Sequence, residues 1–231
     1  MRALRILLIL GVILGGIFVA VDRLAVNYAE SEVAAKVRTS QGLSAEPQID
    51  IKGFPFLTQI LAKELDQVDV TIEGVEASAE GKKLKLGKMT AELHDVVLSG
   101  NFSSATAASA TGTAVISYAD LTRAAGDKDV KVGYGGNGKV KVTGTVSVLG
   151  REISRSVNST VALQDGGKAI SVHADEVPGQ GIPALEGMIR KKIDFVRQIG
   201  GLPNGLKLDK VTPVETGVEI GVTGTNVHLA G

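Results

Sequence analysis

The chain contains no cysteine among its 231 residues. Disulfide bonds, thiolate nucleophiles and cysteine-ligated zinc are therefore excluded. Net charge is missing too, because 25 basic residues balance 25 acidic ones. A neutral chain has no overall field to attract nucleic acid, so nucleic-acid binding is not expected.

Aromatic residues make up only 3% of the chain, yet two phenylalanines fall within three positions of the run GFPFLTQ at residues 53–59. Phe54-Pro55-Phe56 is a stiff, extended element with a large apolar surface, and helical spacing begins at Leu57. Two interpretations fit this pattern: a core plug between a strand and a helix, or the lip of an apolar ligand groove. The two are compatible with each other.

A long uncharged apolar run lies at the N-terminus. Arg2 and Arg5 precede residues 6–21, which carry no charge, and Asp22 ends the run. The apolar core of a signal peptide typically spans ~7–15 residues, whereas a membrane-crossing helix needs ~17–25. The length of this run therefore fits neither class cleanly.

The residues around the possible cleavage point favour a retained segment. A cut after Ala20 would put Phe18 at a position that requires a small residue. We therefore expect a signal-anchor over residues 1–22, with its arginines inside the cell, and a single exported domain over residues 23–231. The protein would sit at the exported face of the cell membrane, or be secreted if the segment is cleaved.

Helical spacing resumes over residues 24–38, and Gly42 suits the end of that helix. Residues 99–113, rich in Ser, Ala, Gly and Thr, are expected to form a loop, an edge strand or a mobile flap. Ser117 is a candidate cap for a short helix. Alternating apolar and polar residues predict strands at 48–52, 68–72, 84–98, 130–134, 139–149, 152–163, 169–177, 206–211, 217–222 and 226–229.

A second long amphipathic helix is predicted near residues 183–200. Its apolar stripe consists of Leu185, Met188, Ile189, Ile193, Val196 and Ile199. The predicted fold class is α+β, with a strongly curved antiparallel sheet of roughly eight to ten strands wrapping long amphipathic helices behind the N-terminal membrane segment. Such a sheet would leave an elongated apolar space, although periodicity does not separate a groove from a filled core.

Two groups of side chains are candidates for contact with a lipid in that space. The candidates for the apolar groove are Phe54, Phe56, Leu57, Ile60, Leu61, Met188, Ile189, Ile193 and Val196. The candidates for the headgroup are Arg190, Lys191, Lys192 and Arg197. A charged outer helix face is the ordinary explanation for these four, but basic side chains near anionic lipid would also gain ~1 kcal/mol each.

Patterns for catalysis and metal binding are weak. The GxGxxG match at 133–138 is followed by a strand, whereas a phosphate loop needs a helix, so a hairpin turn is the better interpretation. The three histidines are far apart in sequence and lie outside metal-binding frames. An acidic cluster at 64–69 is best explained as a solvated strand face. No catalytic residue, metal or cofactor is therefore expected.

Three motifs in series make the chain resemble one family: GFPFLTQ at 53–59, SYADL at 117–121 and GLPNGL at 201–206. It is the actinobacterial envelope family of lipomannan elongation factor A (LmeA)-like phospholipid-binding proteins. The resemblance implies an exported, membrane-associated protein with the tubular lipid-binding (TULIP-like) fold, in which a curved sheet wraps a long helix. It also implies phosphatidylinositol-type lipids and lipoglycan assembly as the context, with no established catalytic residues.

Three functions follow, in order of preference. The first is a non-catalytic phospholipid-binding module at the membrane surface, driven by ~0.8 kcal/mol for each buried CH₂. The second is an envelope scaffold with a filled core that docks glycosyltransferases. The third is an enzyme acting on lipid-linked sugars, which rests only on the acidic cluster.

Overall fold

One continuous helix, α1 (Arg2–Gln41), joins the apolar N-terminal segment to the rest of the molecule in the computed structural model. The structure describes residues 2–43, 45–79, 82–125, 127–148, 151–176, 190, 193–198, 202 and 204–229. The helix ends at Gly42, whose φ is 61°, and the Leu43 N–H donates to the Arg38 carbonyl at 2.9 Å. This pattern is a common helix terminus and confirms the predicted stop.

Among the described residues, the first sheet has six antiparallel strands in the order β1-β2-β3-β4-β11-β10. A short helix, α2 (Phe56–Ala62), connects its first two strands. The last of the described strands lies between two others, so the first and last described strands belong to one sheet. The strands are β1 (Gln48–Lys52), β2 (Glu64–Ala79), β3 (Lys82–Ser99), β4 (Ser104–Ser117), β10 (Leu206–Val214) and β11 (Gly217–Leu229).

The second sheet, which has five strands in the part of the chain that the structure describes, is inserted between β4 and β10. It follows α3 (Tyr118–Ala125), for which Ser117 is the predicted cap: its Oγ accepts the Asp120 N–H at 3.1 Å. Neighbours in sequence pair with one another, so this sheet is a meander. The strands, in sheet order, are β5 (Val130–Gly136), β6 (Lys139–Val148), β7 (Arg151–Gln164), β8 (Ala169–Ala174) and β9 (Phe195–Gln198).

The region rich in small residues is an interior strand, not a loop, an edge strand or a flap. β4 pairs with β3 on one side and β11 on the other. Ala107 and Ala110 are buried on it, in the same hydrophobic cluster as Leu93 and Val227. Small side chains are present because this interior position is crowded, so their abundance does not indicate mobility.

The predicted second long helix is wrong over its last turn. Residues 195–198 form β9, which pairs with β8 and places Phe195 opposite Val172. A strand there satisfies the outer backbone groups of β8, and Phe and Val are strand-prone residues. Arg190 and Ile193 are helical. The stripe residues Leu185, Met188, Ile189 and Ile199 lie outside the described residues.

The fold is α+β with antiparallel sheets, as predicted, but the strands form two open sheets. Within the described residues, neither sheet is closed or strongly curved. The chain leaves the first sheet at α3, and the strands that follow pair among themselves. One hydrophobic cluster joins α1, α2 and the first sheet, and a second lies between the two sheets around Val142, Val157, Ile193 and Val218.

Candidate functional site

The GFPFLTQ run forms the tight connection between β1 and α2. Gly53 has a φ of 94°, and a Cβ there would collide with the side chains of Asp66 and Gln59, so only glycine fits. Gln59 is buried and fixes the connection from inside: its Nε2 donates to the Lys52 carbonyl at 3.2 Å and its Oε1 accepts the Asp66 N–H at 2.9 Å. The small and polar members of the motif therefore shape the backbone.

A buried carboxylate connects α1 to this motif. Asp22 is fully buried, and it accepts the Leu57 N–H at 2.9 Å and an Arg23 Nη2 hydrogen bond at 2.7 Å. Two turns further along α1, the Glu30 carboxylate accepts the Ile51 N–H at 2.8 Å. The sequence showed Asp22 only as the end of an apolar run. Its partner lies 35 residues away, and no local pattern points to it.

The two phenylalanines of the motif have different environments. Phe56 is 4% exposed and belongs to the first hydrophobic cluster, so it is the core plug. Phe54 is 57% exposed. Its ring meets that of Phe18 edge to face, with 6.3 Å between the centroids, and the Arg23 guanidinium carbon lies 5.3 Å from its centroid. Since Phe18 belongs to the apolar run of α1, Phe54 lies where that run meets the domain.

The other groove candidates fall in two separate places. Ile60 packs against the first cluster, Leu57 is half-buried, and Leu61 is 84% exposed at the end of α2. Ile193 is buried in the second cluster, and Val196 is 55% exposed on β9. Met188 and Ile189 lie outside the described residues.

The headgroup candidates that are described belong to the second sheet. The Arg190 Nη1 donates to the Ala174 carbonyl at 3.0 Å and lies 3.7 Å from the Asp194 carboxylate. The same carboxylate accepts the Ala174 N–H at 2.8 Å and pairs with the His173 ring at 2.9 Å. Arg197 is on β9; Lys191 and Lys192 lie outside the described residues.

The acidic cluster after the motif is spread along β2. The Asp69 carboxylate accepts from Gln67 at 2.7 Å and lies 3.5 Å from the Lys52 ammonium, whereas Glu64 and Asp66 are exposed. Within the described ranges, no three His, Cys, Asp or Glu side chains are grouped so as to hold a metal. An open depression of about 290 Å³ between α3 and β5 is lined by Ala119, Thr122, Arg123, Asp127, Lys128, Val130 and Lys131.

The N-terminal helix is long and apolar enough to cross a membrane. Its most apolar window of 18 residues has a mean hydropathy of 2.7, and none of that window is buried against the domain. By length and composition it is compatible with an anchor or with a signal sequence.

Comparison with known proteins agrees with the motifs. No curated protein and no solved structure matches the chain. A family model described as LmeA-like phospholipid-binding matches residues 20–223. The match starts at the end of the apolar run and includes all three motifs, which confirms the resemblance. The chain therefore belongs to the LmeA-like phospholipid-binding family.

Proposed function

We propose that this protein is an exported, membrane-anchored phospholipid-binding protein that supports assembly of cell-envelope lipids or lipoglycans without catalysing a reaction. The family match over residues 20–223 carries this proposal. Phosphatidylinositol-type lipids are the proposed ligands, following the family resemblance. Residues 23–231 are proposed to form a single exported domain.

The contacts of α1 tie this helix to the rest of the molecule immediately after its apolar segment. Asp22 and Glu30 both accept backbone hydrogen bonds from the β1–α2 region, so the helix is part of the domain from Asp22 onward. A cut beyond Asp22 would remove a buried group from the fold. Because a cut after Ala20 would put Phe18 where a small residue is required, we propose that residues 1–22 remain as an anchor, with Arg2 and Arg5 on the cytoplasmic side.

The proposed acyl-chain contacts begin at the exposed side chains Phe54 and Leu61 and the half-buried Leu57 of the motif region, with Phe56 and Ile60 supporting them from within. A separate set of contacts is proposed around Ile193, which packs with Val218 toward the other end of the first sheet. Its apolar members are proposed to be Met188, Ile189, Ile193 and Val196, and its phosphate contacts Arg190, Lys191, Lys192 and Arg197. A tubular arrangement, in which sheet wraps helix around the lipid, belongs to the same proposal. Burial of each CH₂ contributes ~0.8 kcal/mol, so a few carbons suffice for stable binding.

Native mass spectrometry of the full-length protein tests the proposal. Protein extracted in a mild detergent should carry phospholipid, and lipid occupancy should fall several-fold in the double variant Phe54→Ala/Leu61→Ala. Tyr134→Ala, which shortens an exposed side chain of the second sheet, is the control and should keep its lipid. A wild-type protein that carries no lipid and takes up no added phosphatidylinositol would contradict the proposal.

A lipid-independent scaffold is the second candidate, favoured by one observation. The first hydrophobic cluster is filled by the chain's own side chains, with Phe56 at 4%, Val227 at 1% and Ala107 at 0% exposure. Capture of envelope glycosyltransferases by the Phe54→Ala/Leu61→Ala variant, once freed of lipid, would favour the scaffold. Capture that requires bound lipid would favour the first candidate.

A further inference from the structure

Four large apolar side chains are exposed at one end of the first sheet. Phe54 is 57% exposed, Leu61 84%, Val97 48% and Phe102 52%. We call these four residues the apolar rim. Single exposed apolar residues are ordinary, but several on neighbouring segments indicate a contact surface.

The strand pairing places these segments side by side. β1 ends just before Phe54, α2 carries Leu61, and β2 begins at Glu64, which pairs with Val97. The Leu98 N–H donates to the Lys63 carbonyl at 2.9 Å and so fixes the end of α2 against β3. The β3–β4 turn, which carries Phe102, follows at once.

The apolar run of α1 leaves the domain at this same end. Phe18 lies three residues before the end of the run, which is about 5 Å along a helix that rises ~1.5 Å per residue. Its ring is 6.3 Å from that of Phe54. If residues 6–21 cross the hydrocarbon layer, Phe54 lies at the boundary of that layer. Arg23 stacks over Phe54 there, as long basic side chains do at membrane interfaces.

Phe102 has a backbone conformation that is unusual for a bulky residue. Its φ is 66°, after a φ of 55° at Asn101, and left-handed values favour glycine or asparagine. The Ser103 Oγ and N–H donate to the Gly100 and Ser99 carbonyls at 2.6 and 3.1 Å, which fixes the turn. At 52% exposure the aromatic ring gains little from packing within the chain. Contact with an apolar surface outside the chain therefore explains a phenylalanine in this backbone conformation better than folding stability does.

Charge at this end is nearly balanced. Arg23 is paired with Asp22, and Lys63 is followed by Glu64. Attraction to anionic lipid therefore contributes little, and burial of apolar surface is the main driving force for contact with a membrane.

We propose that the apolar rim inserts into the interface of the phospholipid bilayer that holds α1, on the exported side. The β10–β11 turn, at the far end of the same sheet, then stands roughly 40 Å away, since β4 spans the sheet with ~3.3 Å per residue. This inference rests on the membrane anchoring of the proposed function but not on lipid being sequestered by the domain.

The absence of cysteine allows a direct test on the full-length protein in phosphatidylcholine nanodiscs. Single substitutions Leu61→Cys, Phe102→Cys and Thr216→Cys, each labelled with bimane, place a probe at two rim positions and on the distant β10–β11 turn. The rim probes should be quenched several-fold more by nitroxide-labelled lipid than the Thr216→Cys probe, and less by aqueous iodide. Equal quenching by iodide at all three positions would overturn the proposal.

A second variant separates insertion from mere proximity to the anchor. Phe54→Asp and Leu61→Asp, added to Phe102→Cys, should lower lipid quenching at residue 102 by at least half while circular dichroism shows an unchanged fold. Unchanged quenching would overturn insertion by the rim.

Native mass spectrometry of the Phe102→Cys protein without the Asp substitutions distinguishes the two proposals. Quenching without co-purified phospholipid contradicts the proposed function alone, and bound phospholipid without quenching contradicts the rim alone.

Discussion

The two sheets share polar cross-strand pairs but differ in their exposed apolar side chains. Exposed hydroxyl side chains pair across neighbouring strands on both sheets, Thr143 with Ser156 and Thr145 with Ser154 on the second and Thr90 with Thr113 on the first, each at 2.8 Å. At one end of the first sheet, Phe54 and Leu61 stand exposed beside an apolar helix. Cross-strand polar pairs are typical of a sheet face in water, whereas clustered exposed apolar side chains indicate a contact.

The difference suggests separate roles for the two regions: cross-strand polar pairs suit contact with water, and the exposed apolar side chains of the first region suit the proposed contact with a membrane. The buried carboxylate of Asp22 belongs to the first region, where it joins the apolar helix to the motif. Ion pairs of the second sheet, such as Lys139–Asp175 at 2.8 Å, are partly exposed and serve that sheet alone. Substitutions in the two regions should therefore have different consequences, and three predictions follow from this contrast.

The largest effect is expected at Phe56. Phe56→Ala removes a ring that is 4% exposed in the first hydrophobic cluster and should cost about 3–5 kcal/mol of unfolding free energy. Phe54→Ala removes an exposed ring and should change the free energy of unfolding by less than about 1 kcal/mol. Thermal denaturation of the detergent-solubilised proteins measures both values.

Lipid occupancy should rank the same two variants in the opposite order. Phe54→Ala should lower the phospholipid occupancy seen in native mass spectrometry more than Phe56→Ala does, although it lowers the free energy of unfolding less. If Phe54→Ala loses stability and lipid to the same degree as Phe56→Ala, both rings belong to a plain core and the contrast between the regions disappears.

The next effect concerns the junction between the two regions. The Leu208 N–H of β10 donates to the Gly167 carbonyl, in the β7–β8 turn, at 3.0 Å. Gly167 has a φ of 85°, and a Cβ there would overlap the Leu208 carbonyl oxygen. Gly167→Ala should therefore destabilise the protein by about 2–4 kcal/mol, from backbone strain and from a collision that backbone atoms cannot easily relieve.

Gly166 is a matched control in the same turn. Its φ is 65°, but a Cβ there would meet no atom within 4 Å. Gly166→Ala should thus cost only the conformational strain, about 1 kcal/mol. Equal melting temperatures for the two variants would show that the junction does not hold the second sheet against the first.

Features determined by neighbouring residues could be predicted from the sequence. Gly42 ends α1, and Ser117 caps α3 through the Asp120 N–H, as their types and positions indicated. β1 and the meander followed from alternation of apolar and polar residues. The core-plug interpretation of the motif also fits Phe56, although its pattern did not distinguish that residue from the exposed Phe54.

Features that depend on distant partners could not be predicted. Asp22 acquires its role from Leu57, 35 residues later. The small residues of β4 are explained only by its place between β3 and β11, and residues 195–198 form a strand because β8 offers them an edge. The division into two sheets arises from pairings across the whole chain, which periodicity along one segment does not contain.

The smallest predicted effect is a pH dependence confined to the second sheet. The Lys139 ammonium and the Thr160 hydroxyl, at 2.8 and 2.6 Å, hold the pKa of Asp175 below its ordinary value. Because the folded-state pKa is the lower one, this stabilisation is complete above the unfolded value, about 3.9, and is lost as the pH falls through the folded value. The melting temperature of Asp175→Asn should therefore fall less steeply below about pH 4 than that of the wild type.

Asp209→Asn is the control for that experiment, since it removes the same negative charge from an exposed position on β10. Its melting temperature should fall with pH, below about pH 4, as steeply as that of the wild type. If the melting temperatures of both variants fall less steeply by the same amount, the effect comes from net charge and not from the Lys139–Asp175 contact. A flattening specific to Asp175→Asn, with phospholipid occupancy unchanged, would show that this sheet carries its own electrostatic stability and that lipid contact depends on the other region.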